Sequence, residues 1–260
     1  MESDKYNIKA VMRCLKILDL AVSAEHPISV NEVCESLNLN INMAFRMLSS
    51  LTASGFMVKG EQTGLYAVSL KALRLSRNAL LSLDIRKLTM PYLELLWNQY
   101  PKASLGMAVY YEGEILLIDR IDSRNMPRTY FTPGKTLPFH CTGPGKILTS
   151  ELEEAELDTL ITRKGLKGFT GKTITRADAL KRELAEVRAD QLARDRAEYI
   201  LKDNSNAVPV RDSQGRIAAA ISMSAFEDYM PVEELETAAP ALRNTARRIS
   251  ALAGFQGGML

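Results

Sequence analysis

A chain of 260 residues, 46% of them hydrophobic, can bury more than one core, so two folded domains are expected. Its formal net charge of +2 excludes a broad basic field, and any contact with nucleic acid must come from a few placed cations and helix-terminal amides. Three scattered cysteines argue against a disulfide framework, and with neither a signal-peptide pattern nor the roughly 20-residue apolar run of a membrane helix, a cytoplasmic protein is expected.

In chain order, Ile8, Val11, Met12, Leu15, Leu18 and Val22 recur at helical spacing, and this stripe is expected to pack on the helices that follow. The polar stretch from Ser23 to Pro27 ends that helix, and His26 is a solvated loop histidine. Ser29 and Glu32 have the spacing of a capping box, which starts a short helix with Val30, Val33, Cys34 and Leu37 on one face; Cys14 and Cys34 read as core thiols. Asn38-Leu39-Asn40 makes a turn. A second helix then carries Ala44, Met47, Leu48 and Leu51 on its apolar side, with Asn42, Met43, Arg46, Ser49 and Ser50 on the other. A helix pair with a polar free face is either a helical hairpin in an all-α core or a helix-turn-helix that reads the major groove. The strand-like runs Gly55–Lys59 and Leu65–Val68, around the loop Gly60–Gly64, read as a wing and favour the second. The candidate DNA contacts are Ser29, Asn40, Asn42, Met43, Arg46, Ser49, Ser50 and Lys59, with Lys5 and Lys9 as further phosphate partners.

Ser69 to Leu83 is leucine-rich and predicts a linker helix that packs on a partner, and a second helix, kinked or broken at Pro91, is predicted from Asp84 to Gln99. From Ala103 the period changes to two: Ala103–Tyr111 and Glu114–Ile121 flank Glu112-Gly113 as a hairpin, and Pro127–Phe131 suggests a further strand. Ser150-x-x-Glu153 and Thr175-x-x-Asp178 predict capped helix starts, and Pro231 a first helical position. Asn206–Val210 and Arg216–Ser224 flank the turn at Asp212–Gly215.

Thr142 and the glycines that follow it are placed to open a helix whose free amides favour an anion, a carboxylate above all. This is not a nucleotide-binding loop, because His140 stands where its first glycine belongs and Ile147 follows Lys146. Ser222 and Ser224 lie on one side of a strand and Met223 on the other.

Ala10–Leu75 resembles the winged helix-turn-helix of IclR-type bacterial transcriptional regulators, and Asp84–Ala253 resembles their effector-binding domain. The resemblance rests on Leu37-x-Leu39, Phe45-Arg46-x-Leu48, Gly55-Phe56, Leu83–Arg86, Ile118–Ser123, Leu137–His140, Thr142, Gly145-Lys146, Thr173–Thr175 and Val208–Val210 in order. It implies an α+β chain: a winged helix-turn-helix domain (1–68), a linker helix (69–83) that contributes to dimerisation, and a GAF-like effector-binding and oligomerisation domain with an antiparallel sheet (84–260). It places effector contacts at Gly143, Asp195, Ser205, Ser222 and Ser224; Met107, Tyr130, Cys141, Thr142 and Gly145 complete the candidate effector site. The chain departs from the family at Asn40–Met43, where Pro-Lys-Ser-Thr is common, and at Lys202–Ser205, where Gly-x-x-Cys is common, so Ser205 stands in place of a thiol.

The sequence contains no Gly-x-Ser-x-Gly, His-Glu-x-x-His or Cys-x-x-Cys motif, and two histidines leave little general-base capacity, so catalysis, metal and cofactor are not expected. The expected protein is a homodimer or tetramer that binds a palindromic operator and senses a small metabolite, an organic acid. The alternative is a dimeric regulator whose C-terminal domain senses nothing or binds a protein.

Overall fold

A computed structural model describes residues 7–24, 26–124 and 131–257. The expected strand at Pro127–Phe131, apart from Phe131, and the residues Lys5 and Tyr130 lie outside them. The chain divides into two compact units, Met1–Ala79 and Leu80–Leu260, with the division inside the expected linker.

The first unit contains α1 (Lys9–Ser23), α2 (Val30–Leu37), α3 (Ile41–Ala53), β1 (Met57–Lys59), β2 (Tyr66–Val68) and the start of α4 (Lys71–Ser82). The box at the start of α2 is complete: Ser29 Oγ accepts from the Glu32 amide, and Glu32 Oε2 accepts from the Ser29 amide at 2.7 Å. Asn38 closes α2 in the left-handed conformation at φ 49°, and Asn40 caps α3 by accepting from the Met43 amide. The core comprises Ile17, Ala21, Ile28, Val33, Ala44, Met47, Leu48, Leu51, Met57 and Tyr66. The side of α1 that enters it is not the expected stripe. Ile17 and Ala21 are buried and Cys14 and Leu18 partly so, whereas Ile8, Val11, Met12, Leu15 and Val22 remain exposed. The helix has two apolar faces, and the core takes the one spaced 14-17-18-21. Cys14 and Cys34 are half-buried free thiols rather than fully enclosed ones.

In the second unit α5 (Asp84–Gln99) runs through Pro91 without a break. Its buried residues Thr89, Leu93 and Leu96 bracket the proline, so packing offsets the one missing amide. The strands β3 (Ser104–Tyr111), β4 (Glu114–Ile121), β5 (Thr136–Leu137), β6 (Ala193–Arg196), β7 (Asp203–Arg211) and β8 (Ile217–Phe226) form one antiparallel sheet, ordered β5-β4-β3-β8-β7-β6. The β3–β4 turn has both central residues at positive φ, Glu112 at 51° and Gly113 at 79°, the twist a two-residue hairpin requires.

Period-two alternation divides this unit into two cores. Leu105, Met107, Val208, Ile221 and Met223 meet α5 and α9 (Val232–Leu252) on one face. Ala108, Leu117, Ala207 and Ala220 meet α6 (Gly143–Thr149), α7 (Glu154–Lys164) and α8 (Ala177–Asp190) on the other. The expected capping boxes of α7 and α8 are absent. Ser150 instead closes α6, its hydroxyl donating to the Ile147 carbonyl, and Glu153 and Arg176 occupy the cap positions without a side-chain cap bond. With only Ser150 to Glu153 between α6 and α7, Ser150 is already committed to the helix before it. Pro231 is the residue before α9, one short of the expected first helical position.

Candidate nucleic-acid interface and effector site

The free face of α3 is set by the residues that anchor its other face. Ala44, Met47, Leu48 and Leu51 are buried, which leaves Asn42, Arg46, Ser49 and Ser50 exposed and Met43 half-buried. Three of the expected contacts are committed locally, Asn40 among them as the cap of α3. Ser29 is spent in its capping box, and Ser50 Oγ donates to the Arg46 carbonyl at 2.9 Å. Met43 Sδ accepts from Arg13 of α1 at 3.1 Å, which steadies the start of α3. Lys59 of the wing lies 5.9 Å from the Phe45 ring centre, so a cation stands beside the exposed face. Sequence reading missed Ile41 and Phe45, both exposed on this helix and suited to apolar contact with thymine methyl groups. An apolar residue off the buried stripe was the available signal.

The second cluster lies on the α6–α8 side of the sheet. Strand register brings its members together: Asp195 opposes Ser205, Ser205 opposes Ser224, and Ser222 opposes both Ala207 and Gly106. Thr142 caps α6 by accepting from the Gly145 amide, and a Cβ at Gly143 would lie 2.9 Å from Ser205 Oγ, so the start of α6 rests directly on Ser205. Cys141, Asp195, Ser205 and Ser222 are buried and Ser224 is half-buried. Met107 does not join them. It pairs with Ile221 and faces the α5–α9 core, because its parity on β3 is that of Leu105.

The expected nest of amides is also reduced. Gly145 donates to Thr142 Oγ1, Lys146 to the Thr142 carbonyl, and Pro144 has no N–H, which leaves Gly143 with the one uncommitted amide of that first turn among the described residues. Gly145 serves packing instead: a Cβ there would lie 2.6 Å from the Pro138 and Phe139 carbonyl oxygens.

Behind the cluster stands Lys146, with 0% exposure. Its three protons go to Glu183 at 2.8 Å, Glu198 at 2.6 Å and the Arg194 carbonyl at 2.9 Å. The Glu198 amide in turn donates to Asp195 Oδ1 at 2.8 Å. Burial pushes Asp195 up to about 7; the Glu198 amide and Lys146 oppose this, and the charges of Glu198 and Asp203 add to it. Burial likewise pushes Asp203 up to about 6, against the pull of Arg120, and raises the Cys141 thiol. His140 donates from Nε2 to the Lys167 carbonyl, and burial holds it below its ordinary value. Phe131 and Phe169 flank the Tyr199 ring, their centres 6.0 and 4.9 Å from its own. Asp203, Arg120 and these aromatic rings were not expected in the site, although the alternation of Asp203 with Ser205 placed the two on one face.

A winged helix-turn-helix joined to a helix-flanked sheet with an unsaturated polar cluster is the build of a DNA-binding transcriptional regulator under effector control. Residues 77–251 match the bacterial transcriptional regulator IclR C-terminal family, and the chain belongs to it. It is 28% identical over 248 residues to the HTH-type transcriptional repressor AllR of Klebsiella pneumoniae, covering 95% of this chain and 91% of that one. Identity to AllR of Escherichia coli K12 is 26% with the same coverage. The crystal structure of an IclR family regulator from Brucella abortus shares the fold at TM-score 0.79 and 23% identity, covering 96% of this chain and 95% of that one. An IclR homologue from Microbacterium hydrocarbonoxydans, complexed with 4-hydroxybenzoate, superposes at TM-score 0.75 with 19% identity, over 94% and 99% of the two chains. The family consists of transcriptional regulators, not enzymes. Among the described residues no helix is long and apolar enough to cross a membrane.

Proposed function

We propose that this regulator acts in the cytoplasm as a homodimer that reads a palindromic operator through the exposed face of α3. A small effector seated against Ser205, Ser222 and Ser224 then shifts its DNA affinity. The observation that carries the reading is α3 itself: Ala44, Met47, Leu48 and Leu51 anchor one face in the core, and Asn42, Arg46 and Ser49 are exposed on the other, with the wing cation Lys59 beside Phe45. Asn presents a bidentate pair to adenine and Arg to guanine, each worth about 1–3 kcal/mol of discrimination.

Support for a dimer comes from the exposed apolar face of α1, where Ile8 and Leu15 are 67% and 49% exposed, and from Leu70, Leu73 and Leu75, exposed in the same unit. Effector control follows from linkage. A ligand that prefers one arrangement of the DNA-binding units changes operator affinity by its differential affinity for the two states. The sign of regulation is set by where the operator lies. For the organic acid expected from sequence, the amide nest at the start of α6 is reduced to Gly143, while Ser205, Ser222 and Ser224 stand together on the sheet and an IclR homologue complexed with 4-hydroxybenzoate supports the class.

The test is fluorescence anisotropy of the protein on its own upstream DNA and on genomic fragments, across salt, with Asn42→Ala and Arg46→Ala alongside the native chain. Each substitution is expected to weaken specific binding by about 1–3 kcal/mol and to relax base preference at one position of each half-site. Selection of no fragment by the native chain, or equal binding by all three proteins, would remove α3 as the reading helix.

A further inference from the structure

Away from the effector cluster, a cavity of about 400 Å³ lies where the ends of α8 and α9 meet the outer edge of β7. That volume is within the roughly 300–1,000 Å³ of small-molecule sites. Its position follows from strand length. β6 pairs with β7 only as far as Ala207, whereas β7 continues along β8 to Arg211, so among the described residues no strand covers the outer side of residues 208–211. This edge is not built to receive a peptide strand: Pro209 has no N–H, and the Arg211 amide already donates to Ser250 Oγ at 2.9 Å. Val208, Ala246 and Ser250 form a buried floor. Phe255 is a fixed wall, its amide bonded to the Ser250 carbonyl at 2.9 Å and its ring 3.5 Å from where a Cβ on Gly215 would stand.

The charges around the cavity do not cancel. Arg211 is spent on Glu151, Nη1 donating to Oε2 at 3.1 Å and Nη2 to Oε1 at 2.5 Å, and Asp190 at the rim pairs with Arg194 at 3.6 Å. Arg247 is likewise engaged. Arg243 is the exception: half-buried in the wall, it has no hydrogen bond or ion pair among the described residues. The dipole of α9 does not account for it, since Arg243 stands more than two turns before the end of the helix at Leu252 and that field fades within the last turn. We propose that this cavity is a second ligand site, separate from the effector cluster, for a small organic carboxylate with an apolar body. Arg243 presents its planar fork to the carboxylate in two parallel charge-assisted bonds. Val208, Pro209, Ala246 and Phe255 enclose the apolar body. A neutral ligand leaves the fork unpaired, and a cation meets Arg243 and Arg247. The two sites do not share a core: Val208 and Ala246 belong to the one under α5 and α9, whereas the effector cluster stands on the α6–α8 side with Ala207 and Ala220.

The experiment is methyl NMR of the full chain, labelled at alanine and valine, titrated with hydrocinnamate and octanoate and, in parallel, with hydrocinnamide and phenyl phosphate. It is repeated on Arg243→Gln, which removes the fork and leaves the floor untouched, and on Ala251→Glu, which sets a carboxylate at the exposed rim. The expected result is saturable shifts of the Val208 and Ala246 methyls with both carboxylates and none with hydrocinnamide, the affinity falling about tenfold or more in either variant. Shifts confined to the Ala207 and Ala220 methyls would place all carboxylate binding at the effector cluster, upholding that reading and overturning this one. Equal carboxylate binding by the native chain and Arg243→Gln, or equal binding of carboxylate and amide, would remove the ionic contact and with it the ligand class. A response to phenyl phosphate alone would also overturn the carboxylate class. Shifts of these methyls on dilution with no probe present would mean that a second copy of the chain covers the face and no ligand site exists there. Silence of Val208 and Ala246 with every probe would count against this site without bearing on the effector cluster.

Discussion

Asp203 shows most directly what burial does to a single side chain. Its carboxyl is raised to about 6, so between pH about 4 and 6 the folded chain holds a proton that the unfolded chain has released. Stability from this group is therefore full below that window and falls as pH rises through it. Asp203→Asn removes the titration, and in urea unfolding at pH 8 the variant is expected to be more stable than the native chain by about 1–3 kcal/mol, with the gap closing near pH 4. An unchanged or lowered stability at pH 8 would mean that Asp203 has a partner in solution. Asp195 behaves in the same sense over a wider window, up to about pH 7. At this scale much was legible: Ser29 and Asn40 as caps, the αL Asn38, and Ser222 and Ser224 on one face all follow from side-chain chemistry and period. Met107 did not, because the parity of a strand residue fixes its company, and that parity is relative to a partner strand the sequence does not name.

At the scale of elements, Lys146 is the tie between α6, α8 and the segment that follows β6. Each of its protons serves a different point, Glu183, Glu198 and the Arg194 carbonyl. Lys146→Met leaves Glu198 as a buried charge without a partner, a loss expected to cost about 3–5 kcal/mol and to lower Tm by on the order of 10 °C. Adding Glu198→Gln in the same chain is expected to restore part of that loss, which calorimetry of the single and double variants reads directly. If the single variant melts with the native chain, the pair contributes nothing net. The α1 helix carries the second element-scale prediction. Leu15→Glu places a charge on its exposed apolar face and not in the core, so it is expected to shift the oligomer toward monomer in sedimentation equilibrium, with helicity unchanged and operator binding weakened. An oligomer that persists would assign the dimer contact to other surfaces. Helix existence was readable from periodicity, yet which of two apolar faces α1 buries was not, since both satisfy the same 3.6-residue repeat.

For the whole molecule, the small net charge predicts a modest salt dependence. Few cations stand near the reading face, so the slope of log K against log salt is expected to be shallow for a dimeric regulator. Lys59→Ala should lessen it by roughly one unit per protomer that contacts a phosphate. A steep slope unaffected by this substitution would point to phosphate contacts outside the wing.

The sequence by itself determined the local and the periodic: the capped helix pair, the wing, the hairpin at Glu112-Gly113, and an α+β second unit. Each depends on residues within a few positions of one another, and on turn and cap chemistry that acts before any tertiary contact forms. Only the tertiary structure decided the rest. It united Asp203 with Asp195, which stand on neighbouring strands, and turned Met107 to the other core. It committed Ser150 to the end of one helix rather than the start of the next, and enclosed Lys146 among carboxylates far away in sequence. These outcomes depend on strand register and on which faces find cover, and both are settled by burial of the chain as a whole.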